Sequence, residues 1–185
     1  MRLTTPPRPL AAILLAAAGL LLGAASLHAQ QPGPNPIPVQ QDAMHKLDFL
    51  LGHWSGPVTI IRGPGEPLHL TQSEDVESKL DGLVFLIQGH STTADGKVLF
   101  SALATIAYDD ASHTYHFRAY NDGHYIDTDL SVVPSGFSWG FAAGPVHVVN
   151  TMHLTPKGEW SEVTETTFGA HPPMRSVDML LQHQP

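Results

Sequence analysis

Between residues 54 and 182 the hydropathy alternates with a period of two, and short turns rich in Gly, Pro and Asp interrupt it at hairpin spacing. This pattern confines the chain to all-β architectures. Residues 54–62, 68–79, 83–90, 99–108 and 114–120 read as the first strands, and 125–132, 137–141, 146–154, 160–168 and 175–182 as the rest, about nine or ten in all. The turns have recognisable chemistry: Gly63-Pro64-Gly65, Ala94-Asp95-Gly96, Asn121-Asp122-Gly123, Pro134-Ser135-Gly136 and Pro156-Lys157-Gly158. No helix-length segment separates the strands, which argues against parallel βαβ units. Short, nearly uniform connections favour an antiparallel up-and-down barrel over a sandwich.

The first part of the chain is of another kind. Arg2 and Arg8 flank the start of an apolar run over residues 10–22, and Leu27-His28-Ala29 ends in a small residue. This predicts a signal peptide over residues 1–29, cleaved after Ala29, and an exported, periplasmic or secreted protein. The run is shorter than the roughly 20 apolar residues a membrane-spanning helix needs, so no stable membrane insertion is expected after cleavage. Residues 30–41 are rich in Pro and Gln and predict a disordered or polyproline-like leader. The barrel domain is then residues 42–185. Asp42 is suited to cap a short helix through about Leu51, with Met44, Leu47 and Leu51 on one face and Gly52 ending it.

Composition removes several function classes. The formal charge is −8 with His neutral, and loss of Arg2 and Arg8 makes the mature chain more acidic still. That argues against nucleic acid or anionic lipid as partner. The chain has no cysteine, which excludes disulfides, thiolate catalysis, thiolate zinc sites and a lipid-modified N-terminal cysteine.

Alternation also predicts faces. Phe137, Trp139 and Phe141 share one. Val146, Val148, Asn150, Met152 and Leu154 share another, as do Trp160, Glu162, Thr164, Thr166 and Phe168, and Val177, Met179 and Leu181. Inner positions that mix aromatics with Ser, Thr, Asn and Gly suit a partly polar cavity. Residues 68–79 are more polar and suggest a strand on the solvent side of a curved sheet. Candidate cavity residues are Phe85, His90, His116, Phe117, Tyr120, Trp139 and Met152.

The segment Leu50-Leu51-Gly52-His53-Trp54-Ser55-Gly56 resembles the Gly-x-Trp opening of the calycins, the group of lipocalins, fatty-acid-binding proteins and nitrobindin-like haem barrels. Leu80-Asp81-Gly82-Leu83-Val84-Phe85, Ile106-Ala107-Tyr108-Asp109, Lys157-Gly158-Glu159-Trp160-Ser161-Glu162 and Val177-Asp178-Met179-Leu180-Leu181 are similar to a family of exported bacterial lipocalin-like barrels. The resemblance implies that Gly52 and Trp54 close one end of the barrel and that a basic residue, Arg175, stacks on the indole. It implies a small hydrophobic or amphipathic ligand in the cavity. Its haem-binding branch implies a His late in the barrel, for which His171 and His183 are the candidates by position.

Other chemistry is less supported. His113 and His116 are three apart, so on a strand they point to opposite sides. His147 and His153 share a face but lie roughly 20 Å apart along a strand. No spacing resembles a zinc site, so no metal is expected, although His90, His116 and His124 could meet across strands. Glu162 and Glu165 fall on opposite faces, and Asp127 and Asp129 share one that reads as solvated. No catalytic triad, nucleophile elbow or phosphate loop is present, and no catalytic residue is assigned. The chain reads as a binding protein more readily than as an enzyme. The alternatives are a haem barrel, a barrel isomerase or cyclase using Tyr108, Tyr120, Tyr125, His90 or His116, and a filled barrel acting through its surface or as a homodimer.

Overall fold

A computed structural model describes residues 35–185. The expected signal peptide and the start of the leader lie outside the described residues. The first element, α1, is an α-helix over Ile37–Met44, followed by a tighter 3-10 helical segment over His45–Leu50. It starts earlier than Asp42, inside the segment expected to be disordered. Asn35 Oδ1 accepts from the Ile37 amide at 3.2 Å, and Pro38 sits in the first turn, where its missing N–H forfeits no helical hydrogen bond. A proline-rich run thus begins a helix instead of preventing one.

Ten strands follow: β1 (Gly52–Ile60), β2 (Leu68–Lys79), β3 (Val84–Thr92), β4 (Val98–Asp109), β5 (Thr114–Asn121), β6 (His124–Val133), β7 (Gly136–Ala143), β8 (Val146–Leu154), β9 (Trp160–Phe168) and β10 (Met174–His183). Each pairs antiparallel with its sequence neighbours, and β1 also pairs with β10, which closes an all-β, ten-stranded up-and-down barrel. The seam is defined by Trp54 opposite His183 and Val58 opposite Met179. Closure leaves no free edge to aggregate.

The polar segment 68–79 is not on a solvent side. It is a full stave of the barrel, paired along its length with β1 and β3, with Leu70, Gln72 and Val76 buried inside. Two of its inward positions are polar, which blurs the hydropathy alternation that normally marks a buried face.

The end of the barrel at which β1 begins is plugged. Met44, Leu47 and Leu50 from the helical segment are buried with Trp54, Phe85, Ile106 and Leu181. The Tyr115 hydroxyl donates to the Ala43 carbonyl at 2.7 Å and anchors α1 over the barrel. The Trp54 indole N–H donates to the Leu50 carbonyl at 2.8 Å. Its ring meets Trp160 edge-on at 5.7 Å and His183 edge-on at 4.8 Å.

Arg175 does not stack on that indole. It lies near the start of β10, toward the opposite end of the barrel from Trp54, where it is exposed and donates to Asp178 at 2.7 Å. His183 takes the place beside the indole. Strand direction is the reason: the residue that meets the first turn of β1 is the last of an antiparallel β10. Gly52 makes room for this ring. Its φ of +116° is glycine territory, and a Cβ there would stand 2.3 Å from His183 Nε2.

Candidate functional site

The barrel is hollow above its plug. A cavity of about 420 Å³ is lined by Phe100, Phe117, Phe137, Trp139, Phe141 and Trp160, with Glu74 and Glu162 among them. It reaches toward the strand ends beside Asn121, His124 and Tyr125. The space exists because four inward positions of neighbouring strands are small: Gly89 on β3, Ala102 and Ala104 on β4, and Ala119 on β5. Large side chains there would fill it, as they do in small solid barrels.

The aromatic wall comes from adjacent staves. Phe117 and Trp139 stack at 4.9 Å with 28° between planes, and Trp139 and Phe141 stack at 6.3 Å with 12° between planes. Opposite runs a polar chain. The Ser91 hydroxyl donates to Gln72 Oε1, and Gln72 Nε2 donates to Glu74 Oε1 at 2.7 Å. On β9 and β8, Asn150 Nδ2 donates to Glu162 Oε1 at 2.8 Å and to Thr164 Oγ1 at 3.0 Å, and the Trp160 indole N–H donates to Glu162 Oε2 at 2.8 Å. Asn150 Oδ1 is buried without a partner among the described residues. No Lys or Arg lines the cavity among the described residues.

Two carboxyls in an apolar barrel without a cation are expensive to ionise. Burial, and next the nearby Glu162, push the Glu74 carboxyl up from 4.5 to about 8. Burial raises Glu162 as well, opposed by the hydrogen bonds from Asn150 and Trp160. Both side chains keep some accessible surface because one side faces the cavity. Gly89 gives Glu74 its position, since a Cβ at that residue would lie 2.5 Å from Glu74 Oε2.

The candidate cavity residues divide by face. Phe85, Phe117, Trp139 and Met152 point inward, and of these Phe117 and Trp139 line the cavity while Phe85 and Met152 belong to the buried core. His90, His116 and Tyr120 do not line it. Each alternates with an inward neighbour (Gly89 and Ser91, Phe117, Ala119) and therefore faces out. His116 lies 3.3 Å from Asp129 on the outer surface, and Arg118 pairs with Asp127 beside it, so that acidic face is solvated as its pattern suggests.

His171 sits exposed in the β9–β10 connection and His183 at the far end of β10, and neither lines the cavity. The one imidazole among the described lining residues is His124. No cluster of three or more His, Asp or Glu residues suited to a metal ion occurs among the described residues.

Glu74 was not visible as a site residue in the sequence. Alternation puts Glu162 on one face with Trp160 and Thr164, but nothing local shows that this face is the inner one or that a second carboxyl comes within electrostatic reach from β2. The available signal was a Glu two residues after Gln72, on the same face as Leu70 and Val76: a charge at an inward position.

No family model and no curated protein matches the chain. Among solved structures, a crystal structure of Rv2717c from M. tuberculosis is similar, with a TM-score of 0.59 and 14% identity over 77% of this chain and 98% of that one. At that identity the likeness is one of fold.

Proposed function

We propose that the chain is an exported carrier that holds one small apolar or amphipathic molecule inside its barrel. The observation that carries this reading is the aromatic-lined cavity of about 420 Å³, a size and composition ordinary for small-molecule sites. A barrel closed at every seam and plugged by α1 is a rigid wall for such a ligand. Export rests on Arg2, Arg8 and the apolar run over residues 10–22. The distant likeness of the Gly52-His53-Trp54 opening to lipocalin-like barrels agrees with both parts.

Native mass spectrometry of protein recovered from a bacterial periplasm tests this. A chain beginning at Gln30 and carrying a small organic adduct is the expected result. A bare chain whose tryptophan fluorescence no apolar probe alters would leave a surface-acting barrel instead.

One observation favours a second reading. A carboxyl held to about 8 inside a pocket is poised to give or take a proton at neutral pH, as a barrel isomerase or cyclase requires. In that reading Glu74 is the acid–base group and Glu162 its electrostatic partner. Turnover that is lost in Glu74→Gln while binding persists would distinguish enzyme from carrier. No observation favours the haem alternative, since His171 and His183 both stand outside the cavity lining.

A further inference from the structure

We infer that the ligand carries a protonated amine at its polar end, seated between Glu74 and Glu162, with its apolar body against Phe117, Trp139 and Phe141. This rests on the carrier reading and names the chemical class of what is carried.

The polar side of the cavity offers acceptors. Each Glu162 oxygen already accepts an N–H, which keeps those atoms oriented as acceptors. Glu74 Oε1 accepts from Gln72, and Oε2 makes no hydrogen bond among the described residues. Asn150, which holds Glu162 in place, is only 2% exposed, and its Oδ1 lacks a donor. Two carboxyls lining one apolar cavity call for a group rich in N–H donors and positive charge. The opposite wall, where Phe117, Trp139 and Phe141 stack on one another, offers an apolar surface for the rest of the molecule. A carboxylate or phosphate ligand would find no Lys or Arg to pair with among the described lining residues.

The carboxyl at β2 is placed by construction. Gly89 leaves the space that Glu74 Oε2 occupies, and the Ser91–Gln72 chain fixes the other oxygen. The titratable groups around Glu74 are Glu162 in the cavity and, acting from the outer side of the same strand where it pairs with His53, Asp75, with His124 and Tyr125 among the cavity-lining residues. With the cavity free of cation, Glu74 keeps its proton until about pH 8. An ammonium brought beside it favours the carboxylate. Binding at neutral pH therefore releases a proton, and affinity rises with pH up to about 8.

Isothermal titration calorimetry of the mature chain with tryptamine, tryptophol and indoleacetate tests this. The three share an indole and a short arm and differ in ending as ammonium, hydroxyl or carboxylate. Tryptamine is expected to bind at least about tenfold more tightly than tryptophol, in keeping with charge-assisted hydrogen bonds, and indoleacetate not to bind. Repeating the tryptamine titration in two buffers of different ionisation enthalpy should reveal net proton release at neutral pH. Glu74→Gln should erase the preference over tryptophol and the proton release together, while its far-ultraviolet circular dichroism stays that of the parent. The wild-type buffer comparison keeps the test valid if that variant fails to fold. Equal binding of tryptamine and tryptophol would overturn the amine assignment and leave the carrier reading standing. Binding of none of the three, together with silence toward apolar probes, would overturn both.

Discussion

Three glycines separate what holds the fold from what shapes the site. Gly52 makes room for the His183 ring, Gly56 for the Leu180 carbonyl, and Gly89 for the Glu74 carboxyl. A Cβ at Gly56 would stand 2.2 Å from that backbone oxygen, which cannot move without opening the β1–β10 seam. Gly56→Ala should therefore lower unfolding free energy in urea by about 3 kcal/mol or more. Gly89→Ala presses on the end of a side chain, so stability should change less while ligand affinity falls. The Glu74 carboxyl also sets a pH dependence. It keeps its proton to about pH 8 when folded, against 4.5 for its ordinary value. Between those limits the folded protein binds more protons than the unfolded chain, so stability falls as pH rises through them. A tenfold difference in proton affinity between the two states corresponds to about 1.4 kcal/mol. The Glu74 side chain is partly exposed to the cavity, which weakens the effect, so the loss across the whole range amounts to about 2–4 kcal/mol. Urea titrations across this range should show a slope in the parent and a flatter one in Glu74→Gln.

At the scale of elements, the helical segment acts as a stopper. Leu47 and Leu50 are fully buried beneath it, and Tyr115 ties its backbone to β5. Leu47→Ala should cost about 2–5 kcal/mol, the range for truncating a core leucine. Tyr115→Phe should cost about 1 kcal/mol by leaving the Ala43 carbonyl without its donor. Both are read as shifts in the urea midpoint. The stopper was only half legible in sequence. Met44 and Leu47 stood out as an apolar face, but the helix was expected at Asp42 because the prolines before it read as extended chain. Strands were more legible. In β8, Asn150 and Met152 alternate with exposed Thr151 and His153 as the pattern predicts. In β2 the signal failed because Gln72 and Glu74 put polar groups on the inner face, where hydrogen bonds and the cavity accept them.

For the whole molecule, the hollow depends on small residues from neighbouring staves. Ala119→Leu should fill part of the about 420 Å³, leave the unfolding midpoint near that of the parent, and abolish ligand uptake by calorimetry. The approximate number of strands, their order and turns, and which residues of a strand share a face were determined by the sequence, because period two and turn chemistry are local properties of a β chain. What tertiary structure alone decided was which distant groups meet. Closure brings β10 to β1, so His183 and not Arg175 lies on Trp54. It sets Glu74 and Glu162 around one space although β2 and β9 are far apart in the chain. Their burial and mutual repulsion arise from distances across a barrel, which depend on curvature accumulated over all ten strands and on no single one of them.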